Sequence, residues 1–212
     1  SDYNFRIWQR PFKMVTELYY KELDQLIPYE VENVRIRYYA TNNAVGYAKG
    51  FDFRLNGEFV KGVESWASIS IMQSEADIVD DSYTNSEGAT IEPGYYARPS
   101  DQRVNCSLFF QDYLPKNPNF KMHLNLVYGA GLPLTPPDTY KGQYDFRIPE
   151  YKRVDIGFSA ILKKEGAILH RLNPFKHTQS AWISLEVFNL LAIENTISYL
   201  WIQDVSGLQF AV

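Results

Sequence analysis

The residues that most often carry out catalysis are few in this chain and are not spaced for it. The three histidines, His123, His170 and His177, have no cysteine or glutamate at a spacing that suits metal ligands. The segment 65–68 (SWAS) lacks the flanking glycines of a serine-hydrolase nucleophile turn, and the chain has no glycine-rich phosphate-binding loop. The sequence therefore predicts a protein that is not an enzyme and that requires no cofactor or metal.

Neither the cysteine nor the clustered carboxylates of this chain indicate a reactive or metal-binding site. Cys106 is the only cysteine, so no disulfide can form within the chain, and its next-but-one neighbours Val104 and Leu108 are typical of an apolar strand. Clustered carboxylates have the chemistry of calcium ligands, and one such cluster occurs at Glu75, Asp77, Asp80 and Asp81. We interpret this cluster as the solvated start of a loop.

The composition favours sheets with one apolar face and one wet face. Aromatic residues make up 16% of the chain, yet the mean hydropathy is slightly polar at -0.32. The net charge of -4 provides no basic surface, which excludes nucleic acid as a partner. No run of about 18 apolar residues is present, so a helical membrane span is excluded, whereas a transmembrane β-strand needs only about 9–11 residues.

A period of two recurs along the chain. In the segment 47–56 an apolar side chain falls at every second position, apart from Lys49, and polar or small residues fill the other positions. The same alternation recurs further on, with Phe109 as a second exception. Successive side chains of a strand point to opposite faces, so the sequence predicts seven strands, with a bulge at 191–196 in the last: 12–23, 45–56, 63–76, 103–114, 120–129, 152–164 and 180–202.

The predicted connections alternate in length: 24–44, 57–62, 77–102, 115–119, 130–151 and 165–179. Outer-membrane barrels show this alternation, because their short turns face the periplasm and their long loops face outside. Tyrosines near strand ends fit an interfacial aromatic belt, and the polar faces are hard to place in a dry core. These tyrosines are Tyr19, Tyr20, Tyr47, Tyr113 and Tyr128.

Several segments resemble the TonB-dependent receptors of Bacteroidetes, and their order extends over nearly the whole chain. The segment 186–191 is similar to the penultimate barrel strand of that family. The resembling segments are LIPYEVENVRIRYY (26–39), GFDF (50–53), GEFV (57–60), ESWAS (64–68), RPSDQRVN (98–105), YKRVDIG (151–157) and EVFNLL (186–191).

The resemblance implies an all-β fold, namely an antiparallel transmembrane segment of a barrel of about 22 strands. Residues 1–212 would be the C-terminal portion of that barrel, without its plug domain and closing strand. The implied function is active import through the bacterial outer membrane, in which an extracellular ligand binds and TonB supplies the energy. The implied partners are outer-membrane lipid, the plug, TonB acting through an N-terminal part, the ligand, and a surface lipoprotein as a further candidate.

Two alternatives stay open at this point. One is a passive porin, or a barrel subunit of an outer-membrane secretion or assembly complex. The other is a soluble β-sandwich that binds glycans. The sequence does not identify the ligand, since importers of different ligands share the same wall.

If the barrel prediction holds, the polar strand positions face the plug and lumen. These are Asp52, Arg54, Asn56, Arg103, Asn105, Lys121, His123, Asn125, Asp155 and Lys163. Tyrosines in the long loops are candidate ligand contacts, because their rings give a large contact area at low entropic cost. These are Tyr83, Tyr95, Tyr96, Tyr140 and Tyr144.

Overall fold

The structure is a computed structural model that describes residues 1–32, 35–85, 87–114, 117–136, 139, 146–168, 173–205 and 209–211. In these residues the fold is all-β and antiparallel, and the single helical element is a 3-10 turn at Pro174–His177. Within the same residues, no helix has the length and apolar character needed to cross a membrane.

Eight strands form the main sheet, and each pairs antiparallel with the next along the chain. They are β1 (Asp2–Ile7), β2 (Arg10–Leu26), β3 (Ala44–Val60), β4 (Val63–Ile78), β5 (Val104–Leu114), β6 (Asn117–Gly129), β7 (Tyr151–Lys163) and β8 (Ala181–Val187). A ninth, short strand, Tyr96–Ala97, pairs with β4 beyond the end of β5. In the described part of the chain β1 and β8 do not pair with each other.

The long connections contain short strand pairs of their own. Pairing satisfies backbone groups that would otherwise depend on water. The pairs are Tyr29–Glu32 with Arg35–Tyr38, Tyr83–Thr84 with Thr90–Ile91, and Pro133–Leu134 with Phe146–Arg147. A fourth pair, Trp201–Gln203 with Gln209–Ala211, lies beyond β8.

The short turns at the opposite end are tighter than predicted. Strand β1 was missed, because its turn, Trp8 and Gln9, carries no glycine, asparagine or aspartate. Both turn residues nevertheless have positive φ, 51° and 62°, as a two-residue type I′ turn requires. The predicted turn 57–62 shrinks to Lys61 and Gly62, where Gly62 supplies a φ of 82°.

The predicted last strand, 180–202, is wrong over 188–200, because β8 ends at Val187 and residues 201–202 belong to the separate pair with 209–211. Two asparagine side chains take over the backbone pairing after that point. Asn189 Nδ2 donates to the Ile193 carbonyl at 3.0 Å, and its Oδ1 accepts from the Ile193 N–H at 3.1 Å. Asn195 binds both backbone groups of Lys152 in the same way, at 2.9 and 2.8 Å. A side-chain amide can do this because it offers a donor and an acceptor.

The register confirms the predicted alternation. Directly paired residues share a face, and we call the apolar face the side that carries the row Phe53, Ile69, Cys106 and Tyr128. The opposite side, the polar face, carries the row Asp52, Ser70 and Asn105. Eight of the ten predicted polar residues share the polar face: Asp52, Arg54, Asn56, Asn105, Lys121, His123, Asn125 and Asp155.

The apolar face is open rather than covered. On it Leu18 is 84% exposed and Leu185 is 67% exposed, and other large side chains there are also exposed: Tyr20, Ile71, Phe120, Tyr128, Phe158, Ile183 and Val187. In the described part of the chain the buried hydrophobic residues, prolines and glycines aside, are five: Phe12, Ala44, Val63, Ala76 and Tyr96. Water-soluble domains cover such a face with a second layer, and the described residues place no layer there.

Candidate functional site

A row of aromatic rings crosses the polar face. Trp66 on β4 and Phe109 on β5 stack with ring centroids 6.2 Å apart, and Phe109 lies 5.6 Å from the imidazole of His123 on β6. The guanidinium of Arg54 on β3 lies 5.3 Å from the centroid of the Trp66 ring. Aromatic and cation–π contacts favour specific orientations, so four neighbouring strands present one ordered surface.

This row explains an exception in the sequence. Phe109 interrupts the alternation because its ring belongs to the polar face, where it packs between Trp66 and His123. Sequence reasoning selected Arg54 and His123 but missed the two rings between them. The signal for Phe109 was present, as an aromatic residue at a position that the period assigns to polar side chains.

His123 lies over a glycine of the next strand. A β-carbon at Gly157 of β7 would overlap the imidazole ring. Because Gly157 has no side chain, the ring extends across β7, and its Nε2 lies 3.8 Å from Oε1 of Glu186 on β8. Glycine in a strand often marks such a close approach.

Gly157→Ala is expected to lower the free energy of unfolding by about 1 kcal/mol, because the added methyl displaces the imidazole of His123. Urea unfolding followed by tryptophan fluorescence measures this cost. In a His123→Ala background the same substitution should cost close to nothing, since the ring that the methyl meets is gone. An equal cost in both backgrounds would show that the two residues are not in contact.

A cavity of about 630 Å³ opens on the polar face beside this row. His123, Glu186 and Trp182 line it, and Trp182 is 69% exposed. The ammonium of Lys163, a predicted site residue, is buried and holds one wall in place. It donates to three backbone carbonyls at 3.1, 3.1 and 2.5 Å, those of Phe175, Lys176 and Thr178.

Asp155, another predicted site residue, fastens the turn that follows β8. Its Oδ1 accepts from the backbone N–H of Asn189 at 2.9 Å. Its Oδ2 accepts from Asn125 Nδ2 at 3.1 Å and from Arg153 Nε at 3.0 Å. The carboxylate is nearly buried, so its hydrogen-bond capacity is taken up within the protein.

The other predicted polar residues also have partners on the protein. Asp52 accepts from the Ser70 hydroxyl. Arg54 Nε donates to Asn56 Oδ1 at 3.0 Å, and Asn105 Nδ2 donates to Gln102 Oε1 at 2.8 Å. Lys121 Nζ lies 5.4 Å from the ring centroid of Tyr113. These contacts position the side chains. That the polar face lines a lumen stays a prediction.

The long-loop end is organised around a buried carboxylate that the sequence did not single out. Asp101 is 0% exposed. Its Oδ1 accepts from the Ser74 N–H at 2.6 Å, and its Oδ2 accepts from Arg103 Nε at 2.8 Å and from Arg147 Nη2 at 2.5 Å. The partners of Asp101 are Ser74 of β4, Arg103 just before β5, and Arg147 of the connection between β6 and β7.

Arg103, a predicted site residue, extends these contacts into the sheet. Its Nη2 donates to Glu75 Oε1 at 3.2 Å, and the Tyr47 hydroxyl donates to the other oxygen of that carboxylate at 2.5 Å. The rings of Tyr20 and Tyr95 lie 6.1 and 5.6 Å from that of Tyr47. The ends of β2, β3 and β4 that adjoin the long loops are thus tied to those loops.

The predicted ligand-contact tyrosines differ in accessibility. Tyr95 is exposed and Tyr83 is half-buried, whereas Tyr96 is buried. Burial, with a contribution from the Asp81 carboxylate, raises the pKa of Tyr96 to about 12, so its hydroxyl stays protonated at physiological pH. Tyr140 and Tyr144 lie outside the described residues.

Three long loops meet at a narrow crevice beside Tyr96. The first loop contributes Glu30 and Val31, and the other two contribute the rest of the lining: Tyr96, Ala97, Pro99, Pro133, Leu134 and Thr135.

Burial, together with the neighbouring Asp77, raises the pKa of Asp81 at the start of the second loop. Among the described residues no three His, Cys, Asp or Glu side chains are grouped to hold a metal ion.

Comparisons with known proteins give no relative: no protein-family model, curated protein or solved structure matches this chain. The two faces and the loop end are therefore interpreted from their own chemistry.

Proposed function

We propose that this sheet is part of the wall of a bacterial outer-membrane β-barrel that acts as a TonB-dependent import receptor. The observation that carries the proposal is the exposed apolar face. On β6 the side chains on this face are those of Phe120, Met122, Leu124, Leu126 and Tyr128. That stretch matches the roughly 9–11 residues of a membrane-crossing strand, and it has an aromatic residue at each end, where interfacial girdles lie.

Charge follows the same division. The apolar-face positions carry no charged side chain from Phe120 to Leu126 on β6, from Val154 to Ala160 on β7 and from Ile183 to Val187 on β8, and Lys152 pairs with Tyr128 where this stretch ends. The polar face of the same strands carries Lys121, His123 and Glu186. Lipid against the apolar face, and water or a polar plug against the polar face, would explain why charged side chains lie on one face and not on the other. In a barrel, further strands would pair with the free edges of β1 and β8.

The receptor function has two supports of different kinds. The long loops form an ordered end around Asp101, as a ligand-binding end requires. The use of TonB energy rests on the resemblance in sequence alone. A passive porin, or a subunit of another barrel complex, would share the wall but would need no such coupling. A soluble glycan-binding sandwich would need a second sheet over the apolar face.

The membrane assignment is tested on cell envelopes, where we expect the protein to stay in the outer-membrane fraction after sodium carbonate extraction. The energy coupling is tested on the full-length protein solubilised from those envelopes in detergent, which we expect the immobilised periplasmic domain of TonB to retain. Recovery in the soluble fraction would overturn the membrane assignment. Carbonate resistance without TonB retention, combined with steady conductance in a planar bilayer, would favour the passive porin.

A further inference from the structure

The side chain of Arg147 forms hydrogen bonds with residues of two long connections, 79–103 and 130–150. Its Nη1 donates to the carbonyl of Gly131 at 3.1 Å, at the start of the connection in which Arg147 itself lies. The same Nη1 donates to the backbone carbonyl of Asp101 at 2.8 Å, and Nη2 donates to the Asp101 carboxylate at 2.5 Å. One guanidinium therefore joins the two ends of the 130–150 connection to the end of the 79–103 connection.

The strength of this contact follows from burial and charge. The Asp101 carboxylate is fully buried and has two guanidinium partners, Arg103 and Arg147. Charge-assisted hydrogen bonds are about twice as strong as neutral ones. Without Arg147 the buried carboxylate keeps Arg103 as its one charged partner, and a buried charge with fewer partners is less favourable, which disfavours separation of the two connections.

The first long loop, between β2 and β3, reaches the same place. Its residues Glu30 and Val31 line the crevice together with Tyr96 and Pro133, which belong to the other two loops. The Tyr39 N–H donates to the Pro28 carbonyl at 3.0 Å and closes the base of this first loop. The buried ion pair thus lies next to the place where all three loops meet.

We infer that Asp101 and Arg147 act as positioning residues that make the described parts of the 79–103 and 130–150 connections (79–85, 87–103, 130–136 and 146–150) a single recognition unit. A ligand that contacts one connection then binds a surface whose shape depends on the other. Ligand recognition by these connections rests on the proposed function, whereas their coupling through Asp101 and Arg147 rests on the contacts above and can fail or hold separately from it.

Hydrogen exchange followed by mass spectrometry tests the inference. In Arg147→Met we expect amide exchange to rise about tenfold or more in 130–136 and also in 83–97, because loss of the shared contact frees both connections. The matched control is Lys152→Met, which breaks the exposed 2.6 Å pair with Glu150 at the end of the same connection. This control should leave 83–97 unchanged.

Three outcomes would overturn the inference. The first is a rise confined to 130–136 and 146–148, and the second is an equal rise at 83–97 in Lys152→Met. The third comes from Asp101→Asn, which keeps the side-chain shape but removes the charge. If the double variant Asp101→Asn/Arg147→Met raises exchange at 83–97 by the product of the two single effects, the residues do not act through one contact.

Discussion

Replacing Asp101 with alanine is expected to lower the free energy of unfolding by about 3 kcal/mol, near the lower end of the range for removing one partner of a buried ion pair. The substitution leaves the Ser74 N–H without its acceptor and places two guanidinium groups side by side. The lower end applies because the Arg103 and Arg147 side chains are themselves 37% and 28% exposed. Urea unfolding of the detergent-solubilised protein measures the loss.

The matched control for this prediction is Glu150→Ala. Glu150 forms a 2.6 Å pair with Lys152, and both side chains are about half exposed, at 47% and 48%. Exposed pairs contribute about 0–1 kcal/mol, so this variant should unfold almost as the wild type does. If Asp101→Ala costs no more than Glu150→Ala, the carboxylate does not organise the long-loop end.

Leu185→Arg is expected to cost about 2 kcal/mol or more and to deplete the protein from the outer-membrane fraction. An arginine on the lipid side of a barrel strand carries a penalty of this size away from the interfaces. The same substitution would be nearly neutral in water, because Leu185 is already 67% exposed and exposed positions tolerate charge. The position therefore distinguishes a membrane protein from a soluble one.

Ser184→Arg is the control, since Ser184 precedes Leu185 on β8 and points to the polar face. We expect it to assemble at the wild-type level, as judged by immunoblotting of carbonate-washed membranes. If both variants are recovered at the wild-type level, the apolar face is in water and a soluble β-protein is favoured. Loss of both would indicate that β8 tolerates no arginine on either side, which contradicts a lipid-specific penalty.

Much of the sheet could be predicted from the sequence, because the period of two depends only on neighbouring residues. The alternation around Phe53 and along Phe120–Tyr128 placed each side chain on the face where the register puts it. The turn at Trp8 and Gln9 could not be predicted, because positive φ was not expected of those residue types. The early end of β8 depends on Asn189, whose role as a backbone mimic has no periodic signal.

The buried ion pair was missed for a different reason. Asp101 and Arg147 are separated by 46 residues, and each looks like an ordinary loop charge in its own segment. Local patterns cannot show which charges meet. Within the candidate site the sequence therefore identified the faces and several individual residues, including Arg103 and His123, but not the contacts among them.

In the proposed barrel, the unequal lengths of the strands would give a wall of uneven height. Strands β2 and β3 have 17 residues each and β4 has 16, whereas β6 and β7 have 13. At roughly 3.3 Å per residue and a tilt of about 45°, the long strands would rise about 40 Å and the shorter ones about 30 Å. The excess lies at the long-loop end, where β4 continues past Val104 of β5. One side would thus stand about 10 Å above the bilayer as a lip, leaving the β7 side as the lower route of approach for a large extracellular partner.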